Sequence, residues 1–161
     1  KSDCENSKKV LELGSSPGGW TQIVLNYNPN IKITCFDILE MKVNNHNITF
    51  YKQDFLNYDF NNFNQKFDLV LSDVAPNTTG HQSTDHLKIS QLIYDIMEKL
   101  KIILKYDGSF IFKIWKGREE KEIVKRLKID FNKVEYFKPK SSRQESSEIF
   151  IISRGFKLNE D

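Results

Sequence analysis

The strongest constraint on the fold is the run Val10-Leu11-Glu12-Leu13-Gly14-Ser15-Ser16-Pro17-Gly18-Gly19-Trp20. An apolar stretch carries an acid near its end, a glycine turn follows, and a helical pattern opens beyond it. Open α/β sheets place such a turn at the carboxyl end of a first parallel strand, where ligands with a nucleotide part bind.

Strand-like and helix-like runs alternate along the whole chain. Val10–Leu13, Ile31–Phe36, Ile48–Tyr51, Phe67–Leu71 and Ser109–Trp115 read as strands. Gly18–Tyr27 reads as a helix with Trp20, Ile23, Val24 and Tyr27 on one face. His86–Leu104 reads as a long amphipathic helix capped by Thr84 or Asp85, and Arg118–Ile129 as a charged one. Asp107-Gly108 is expected to turn the chain into the fifth strand. Val134–Phe137 and Glu148–Ser153 close the series as an antiparallel hairpin, because 138–147 shows no helical period. Such alternation calls for right-handed crossovers. The expected fold is α/β and Rossmann-like: a mostly parallel seven-stranded sheet with a C-terminal antiparallel hairpin and helices on both faces. One domain is expected over residues 1–161.

Composition narrows the class. With 161 residues and 39% apolar side chains, 12 of them Phe, the chain can build a sizeable core. No apolar run approaches the ~18 residues that span a bilayer, so no membrane partner is expected. The polar start, Lys1 to Lys9, lacks a secretory pattern. Cys4 and Cys35 form neither a disulfide framework nor a metal spacing, which suits a reducing compartment. A cytoplasmic monomer is the expectation, with an organelle or the nucleus as alternatives. The net charge of +2 hides an asymmetry. Residues 1–112 hold 11 basic and 13 acidic side chains, residues 113–161 hold 13 and 9. A basic final third suits a polyanionic substrate.

The acids constrain the ligand further. Glu12, Asp37, Asp54 and Asp73 each stand at or just after one of four successive strands. The spacing Gly14-x-x-x-Gly18-Gly19 does not match the dinucleotide fingerprint, and no Lys-Ser/Thr pair follows for a phosphate loop. Acidic strand ends would also repel phosphates. A cofactor with a ribose, an adenine and a cationic amino-acid-sulfonium tail suits them better. Asp37 lies 23 residues beyond Gly14, near the ~20 expected of a carboxylate that holds ribose hydroxyls. Asp54 could accept from an adenine amino group, and Glu12 and Asp73 could face the cationic end. Trp20 is expected to pack under the loop, and His81 and His86 to be ordinary loop and helix-start residues.

An ordered set of motifs runs through the chain: Leu11–Trp20, Phe36-Asp37-Ile38-Leu39, Gln53-Asp54-Phe55, Ser72-Asp73-Val74-Ala75-Pro76-Asn77, Phe112-Lys113-Ile114-Trp115, Lys138–Arg143 and Ser147–Phe150. This set resembles the FtsJ-like ribose 2′-O-methyltransferases over roughly residues 10 to 153, and most of all their bacterial and organellar ribosomal-RNA branch. The resemblance implies a class I methyltransferase fold and S-adenosylmethionine as cofactor. It implies contacts to that cofactor from Glu12, Gly14, Pro17, Gly18, Gly19, Trp20, Asp37, Ile38, Asp54, Phe55 and Asp73. No metal is implied.

The resemblance also implies a Lys-Asp-Lys-Glu catalytic set, of which the chain supplies Asp73, Lys113 and Glu148. A ribose hydroxyl is a weak nucleophile whose proton must be taken or guided. Lys113 sits in an apolar run, so desolvation favours its free amine, while the two acids favour its charged form. From sequence the two effects stay opposed. The set's first Lys lies on a helix ahead of the first strand in the family. Lys1, Lys8 and Lys9 stand too close to Val10 to match it, so the sequence is expected to lack its natural N-terminus. Lys116, Arg118, Lys138, Lys140 and Arg143 are the candidate RNA contacts. The expected activity is 2′-O-methylation of RNA, most simply of a uridine in large-subunit ribosomal RNA. A transfer-RNA methyltransferase and a non-catalytic cofactor- or RNA-binding domain are the alternatives.

Overall fold

The structure is a computed structural model and describes residues 9–74, 79–140 and 147–157. Its strands form where β-branched and aromatic side chains concentrate. They are β1 (Lys9–Leu13), β2 (Lys32–Asp37), β3 (Ile48–Lys52), β4 (Phe67–Ser72), β5 (Leu104–Trp115), β6 (Phe131–Phe137) and β7 (Glu148–Phe156). The helices are α1 (Gly19–Tyr27), α2 (Gln82–Ile103) and α3 (Arg118–Asp130). The strands lie in one seven-stranded sheet of order β3-β2-β1-β4-β5-β7-β6. Only β7 runs antiparallel to its neighbours. The carboxyl ends of the other six strands therefore share one edge with the start of β7.

The sheet separates two apolar clusters. Leu11, Leu13, Phe36, Val70, Phe110, Phe112 and Ile151 pack with the apolar stripe of α2 and with Ile123, Val124 and Leu127 of α3. Val10, Ile33, Cys35, Leu69 and Leu71 pack on the other side with Val24 and Leu25 of α1. Strand alternation does this sorting: Leu11 and Leu13 face α2, Val10 and Glu12 face α1. No described helix is long and apolar enough to cross a membrane.

Several local expectations shift. The buried face of α1 is Thr21, Val24 and Leu25, whereas Ile23 is 62% and Tyr27 37% exposed. Ile23 instead borders an apolar cleft that it shares with Trp20 and Ile111. Helix α2 starts at Gln82 after His81, so neither Thr84 nor Asp85 caps it. Asp85 reaches back, its Oδ1 accepting from the Thr79 amide at 2.7 Å and the Thr79 hydroxyl at 2.9 Å. Strand β5 already begins at Leu104, and its pairing with β4 shifts between Phe67 and Leu69. Asp107-Gly108 thus lies within the strand as an irregularity, with Asp107 at φ +62°, not as a turn before it. Asn57, Asn61 and Asn62 lie in two short 3-10 turns capped by Asp54 and Asp59.

Candidate active site

The glycine turn closes over the carboxyl ends of β1 and β2. Gly14 takes φ +73°, and its amide donates to the Phe36 carbonyl at 2.9 Å. A Cβ there would stand 3.1 Å from the Asp73 carbonyl oxygen and the Val74 Cα. Glycine thus lets the turn lie against the segment leaving β4. At Gly18, φ is +121° and a Cβ would meet Val43 Cγ2 at 2.5 Å. Gly19 opens α1, and a Cβ there would meet nothing within 4 Å. Pro17 is exposed beside it.

Two backbone amides hold the Asp37 carboxylate. Ser16 donates to Oδ2 at 2.8 Å and Leu39 to Oδ1 at 2.9 Å. Each oxygen keeps a further lone pair, so a half-buried Asp37 can still accept from hydroxyls. Ile38 beside it is 67% exposed. Asp54 is exposed, and its Oδ1 accepts from the Leu56 amide at 2.9 Å. Phe55 is buried in the larger core cluster, so its side chain packs the strand end. The ring of Trp20 lies 5.3 Å from that of Phe150. It lines the apolar cleft, about 270 Å³, together with Ile23, Val24, Ile111 and Phe137.

Glu12 lies under the loop, not on its surface. It is 1% exposed, and its carboxylate accepts from the Thr21 hydroxyl, with the Cys35 thiol 3.8 Å away. Burial pushes its pKa up to about 7, against the Thr21 hydrogen bond; Asp73 and Asp37 add repulsion. Burial likewise pushes the Cys35 thiol up to about 12, which makes it inert as a nucleophile.

Lys113 projects from β5 on the same face as Glu12. Its Nζ lies 2.8 Å from Asp73 Oδ1 and 3.6 Å from Glu148 Oε1. Register explains the meeting. Asp73 follows β4 directly, and Glu148 opens β7 opposite Trp115, two residues beyond Lys113 on one strand face. All three catalytic candidates therefore come together at one edge. Burial opposes the Lys113 ammonium, but the Asp73 hydrogen bond and charge, then Glu148, outweigh it and hold the pKa above the usual lysine value. The opposition left open by the sequence falls on the side of the charged form.

The basic candidates share this edge. Lys116 and Arg118 follow β5 and are exposed; Lys138 and Lys140 follow β6, half-buried and exposed. Arg143 lies outside the described residues, as do Lys1, Lys8, Cys4, Ala75, Pro76 and Asn77. The ring of His86 packs 5.2 Å from that of Trp115. Sequence reasoning missed Thr21 and Cys35 as partners of Glu12. A small hydroxyl on an otherwise apolar helix face was the available signal.

The donor set selects among ligands. Carboxylates stand at successive strand ends, the turn 14–20 holds no Lys or Arg, and Gly19 borders open space. Hydroxyl donors and a cationic end fit this set, and phosphates do not. The FtsJ-like methyltransferase family profile matches residues 1–156. The chain belongs to this family. Among the relatives of this FtsJ-like methyltransferase is the ribosomal RNA large subunit methyltransferase E of Wolbachia pipientis wMel. It is 38% identical over 157 residues, spanning 94% of this chain and 80% of the relative. The protein of that name from Caulobacter vibrioides is 39% identical, over 92% of this chain and 67% of its own. A provisionally named ribosomal RNA methyltransferase from Plasmodium falciparum has the same architecture in its crystal structure. Its TM-score is 0.79 at 26% identity, covering 92% of this chain and 86% of that one.

Proposed function

We propose that this FtsJ-like methyltransferase transfers the methyl group of S-adenosylmethionine to a ribose 2′-hydroxyl of RNA. Large-subunit ribosomal RNA is the proposed substrate and a uridine the proposed nucleoside. The observation that carries this reading is Lys113 Nζ held between Asp73 and Glu148 at the strand edge that also carries the glycine turn. The names of the relatives support the substrate class.

When bound, the cofactor supplies an electrophilic methyl on a cationic sulfur. In this reading Asp37 accepts from ribose hydroxyls of the cofactor, and Asp54 from its adenine amino group. The remaining work falls to alignment and to one proton. Asp73 and Glu148 fix the Lys113 amine where a hydroxyl can meet it. As the oxygen gains its methyl, the hydroxyl proton passes to the free amine of Lys113, and the two carboxylates stabilise the ammonium formed. Lys113 then returns the proton to solvent. Because the acids raise the lysine pKa, free amine is scarce at neutral pH, and turnover rises with pH toward the lysine range. Lys116, Arg118, Lys138 and Lys140 are proposed to meet phosphates, which position a strand without reading its sequence. Arg143 is proposed for the same role.

The test is methyl transfer from labelled S-adenosylmethionine onto undermethylated large-subunit ribosomal RNA and onto transfer RNA, with the wild type and Lys113→Ala. Transfer to ribosomal RNA that the variant loses supports the reading. Transfer to transfer RNA alone overturns the substrate, and transfer to neither overturns the activity.

A further inference from the structure

Three carboxyls stand side by side at the ends of neighbouring strands: Glu12 on β1, Asp37 on β2 and Asp73 beyond β4. They differ in what surrounds them. Asp37 is held by two amides and Asp73 by the Lys113 ammonium. Glu12 meets only neutral donors, the Thr21 hydroxyl from α1 and the Cys35 thiol from β2. Among the described residues no Lys, Arg or His forms an ion pair with it. The charged groups that act on it are Asp73 and Asp37, both repulsive, and Asp73 is itself bonded to Lys113. A carboxyl 1% exposed in such company keeps its proton near neutrality.

We infer that Glu12 is the residue by which the site tells the cationic cofactor from its neutral product: it gives up a proton when the sulfonium arrives and takes one back once the methyl has left. The inference rests on the S-adenosylmethionine reading above. It follows from charge alone. The cofactor and its demethylated product share the same adenosine, ammonium and carboxylate, and differ by one methyl and one positive charge on sulfur. A cation brought to the edge above three acids and one lysine favours the ionised form of whichever acid is still neutral. The ammonium and carboxylate act on Glu12 alike in both ligands, so binding the sulfonium releases up to one more proton to solvent than binding the neutral thioether. Methyl transfer removes the sulfonium charge and frees the hydroxyl proton. Glu12 regains from solvent the proton that the sulfonium displaced, so the product complex lacks the extra charge that favours the cofactor. Cys35 stays neutral throughout, since its pKa is far higher.

The test is calorimetric titration of S-adenosylmethionine and S-adenosylhomocysteine, each in two buffers of different ionisation enthalpy, between pH 6 and pH 8. The wild type is expected to release up to one more proton with the sulfonium than with the thioether. Its preference for the sulfonium should rise about tenfold across that interval. In Glu12→Gln the difference in proton release and the pH dependence of the preference both vanish. Thr21→Val keeps the carboxyl but removes the hydroxyl that favours its charged form, so the transition moves to higher pH. This second variant serves where Glu12→Gln fails to fold. Equal proton release by the two ligands, or a difference that survives in Glu12→Gln, overturns the inference while leaving the cofactor reading intact. Binding of neither ligand overturns both.

Discussion

Two clusters of ionisable groups lie a few residues apart at the same edge of the sheet and resolve burial in opposite ways. Under the glycine turn, Glu12 is buried with a hydroxyl and a thiol, and burial pushes its pKa up to about 7. At the end of β5, Lys113 is partly buried with two carboxylates, and its pKa is held above the usual lysine value. Desolvation opposes charge in both places. The outcome turns on whether the fold supplies a counter-charge. A carboxyl without one keeps its proton; a lysine with two keeps its own. The first cluster is the one proposed to respond to a cation, and the second the one proposed to take and release a hydroxyl proton.

Six substitutions test this contrast. The largest effect is expected from Lys113→Ala, which should lower kcat by about 10²–10⁴-fold in methyl-transfer assays and leave calorimetric affinity for S-adenosylmethionine close to wild type. A loss confined to KM would detach Lys113 from the chemistry. Next comes the stability of the ligand-free protein. The Glu12 carboxyl titrates near 4.5 when unfolded and near 7 when folded. The folded state therefore binds more protons between those values, and stability falls as pH rises through them. Glu12→Gln abolishes this loss, so at pH 8 it should gain ~2–3 kcal/mol relative to wild type, read by denaturant melts, with little difference at pH 4. A gain independent of pH would show that Glu12 is already ionised when buried.

Asp73→Asn removes the closer counter-charge from Lys113. Its alkaline rate limb should move toward neutrality, and Glu148→Gln should move it less, because that contact is longer at 3.6 Å. An unmoved limb in both variants would mean that the rate reports some group other than Lys113. The smallest effect belongs to Lys116→Ala and Arg118→Ala. Each should weaken RNA binding evenly across sequences and reduce the salt slope of affinity by about one. Filter binding at several salt concentrations measures it, and an unchanged slope removes these residues from the RNA path.

Much of the architecture was legible because period and punctuation agree along the chain. Seven short apolar runs, the turn at Gly14 and the acids after four strands place the sheet and its functional edge without any tertiary information. Lys113, Asp73 and Glu148 could be named singly. That they touch depends on β7 entering the sheet between β5 and β6, a register no local pattern encodes. Which face of α1 is buried escapes local reading for a related reason. Trp20, Ile23 and Tyr27 carry the apolar signal, yet Thr21, Val24 and Leu25 meet the sheet, and Ile23 with Trp20 lines a cleft instead. Glu12 shows the same limit in electrostatic form. Its place at the strand end was plain, but its protonation depends on Thr21 and Cys35 closing over it from two other elements.

The proposed chemistry is delivery of a methyl group to a ribose hydroxyl at the edge built by Lys113, Asp73 and Glu148. The most direct measurement is the chemical position of label that the full-length protein transfers from S-adenosylmethionine to undermethylated large-subunit ribosomal RNA, followed by alkaline hydrolysis. A 2′-O-methyl blocks cleavage at its own phosphodiester, so the account predicts label in an alkali-resistant dinucleotide, absent with Lys113→Ala. Label recovered in mononucleotides, which places the methyl on a base, would contradict it.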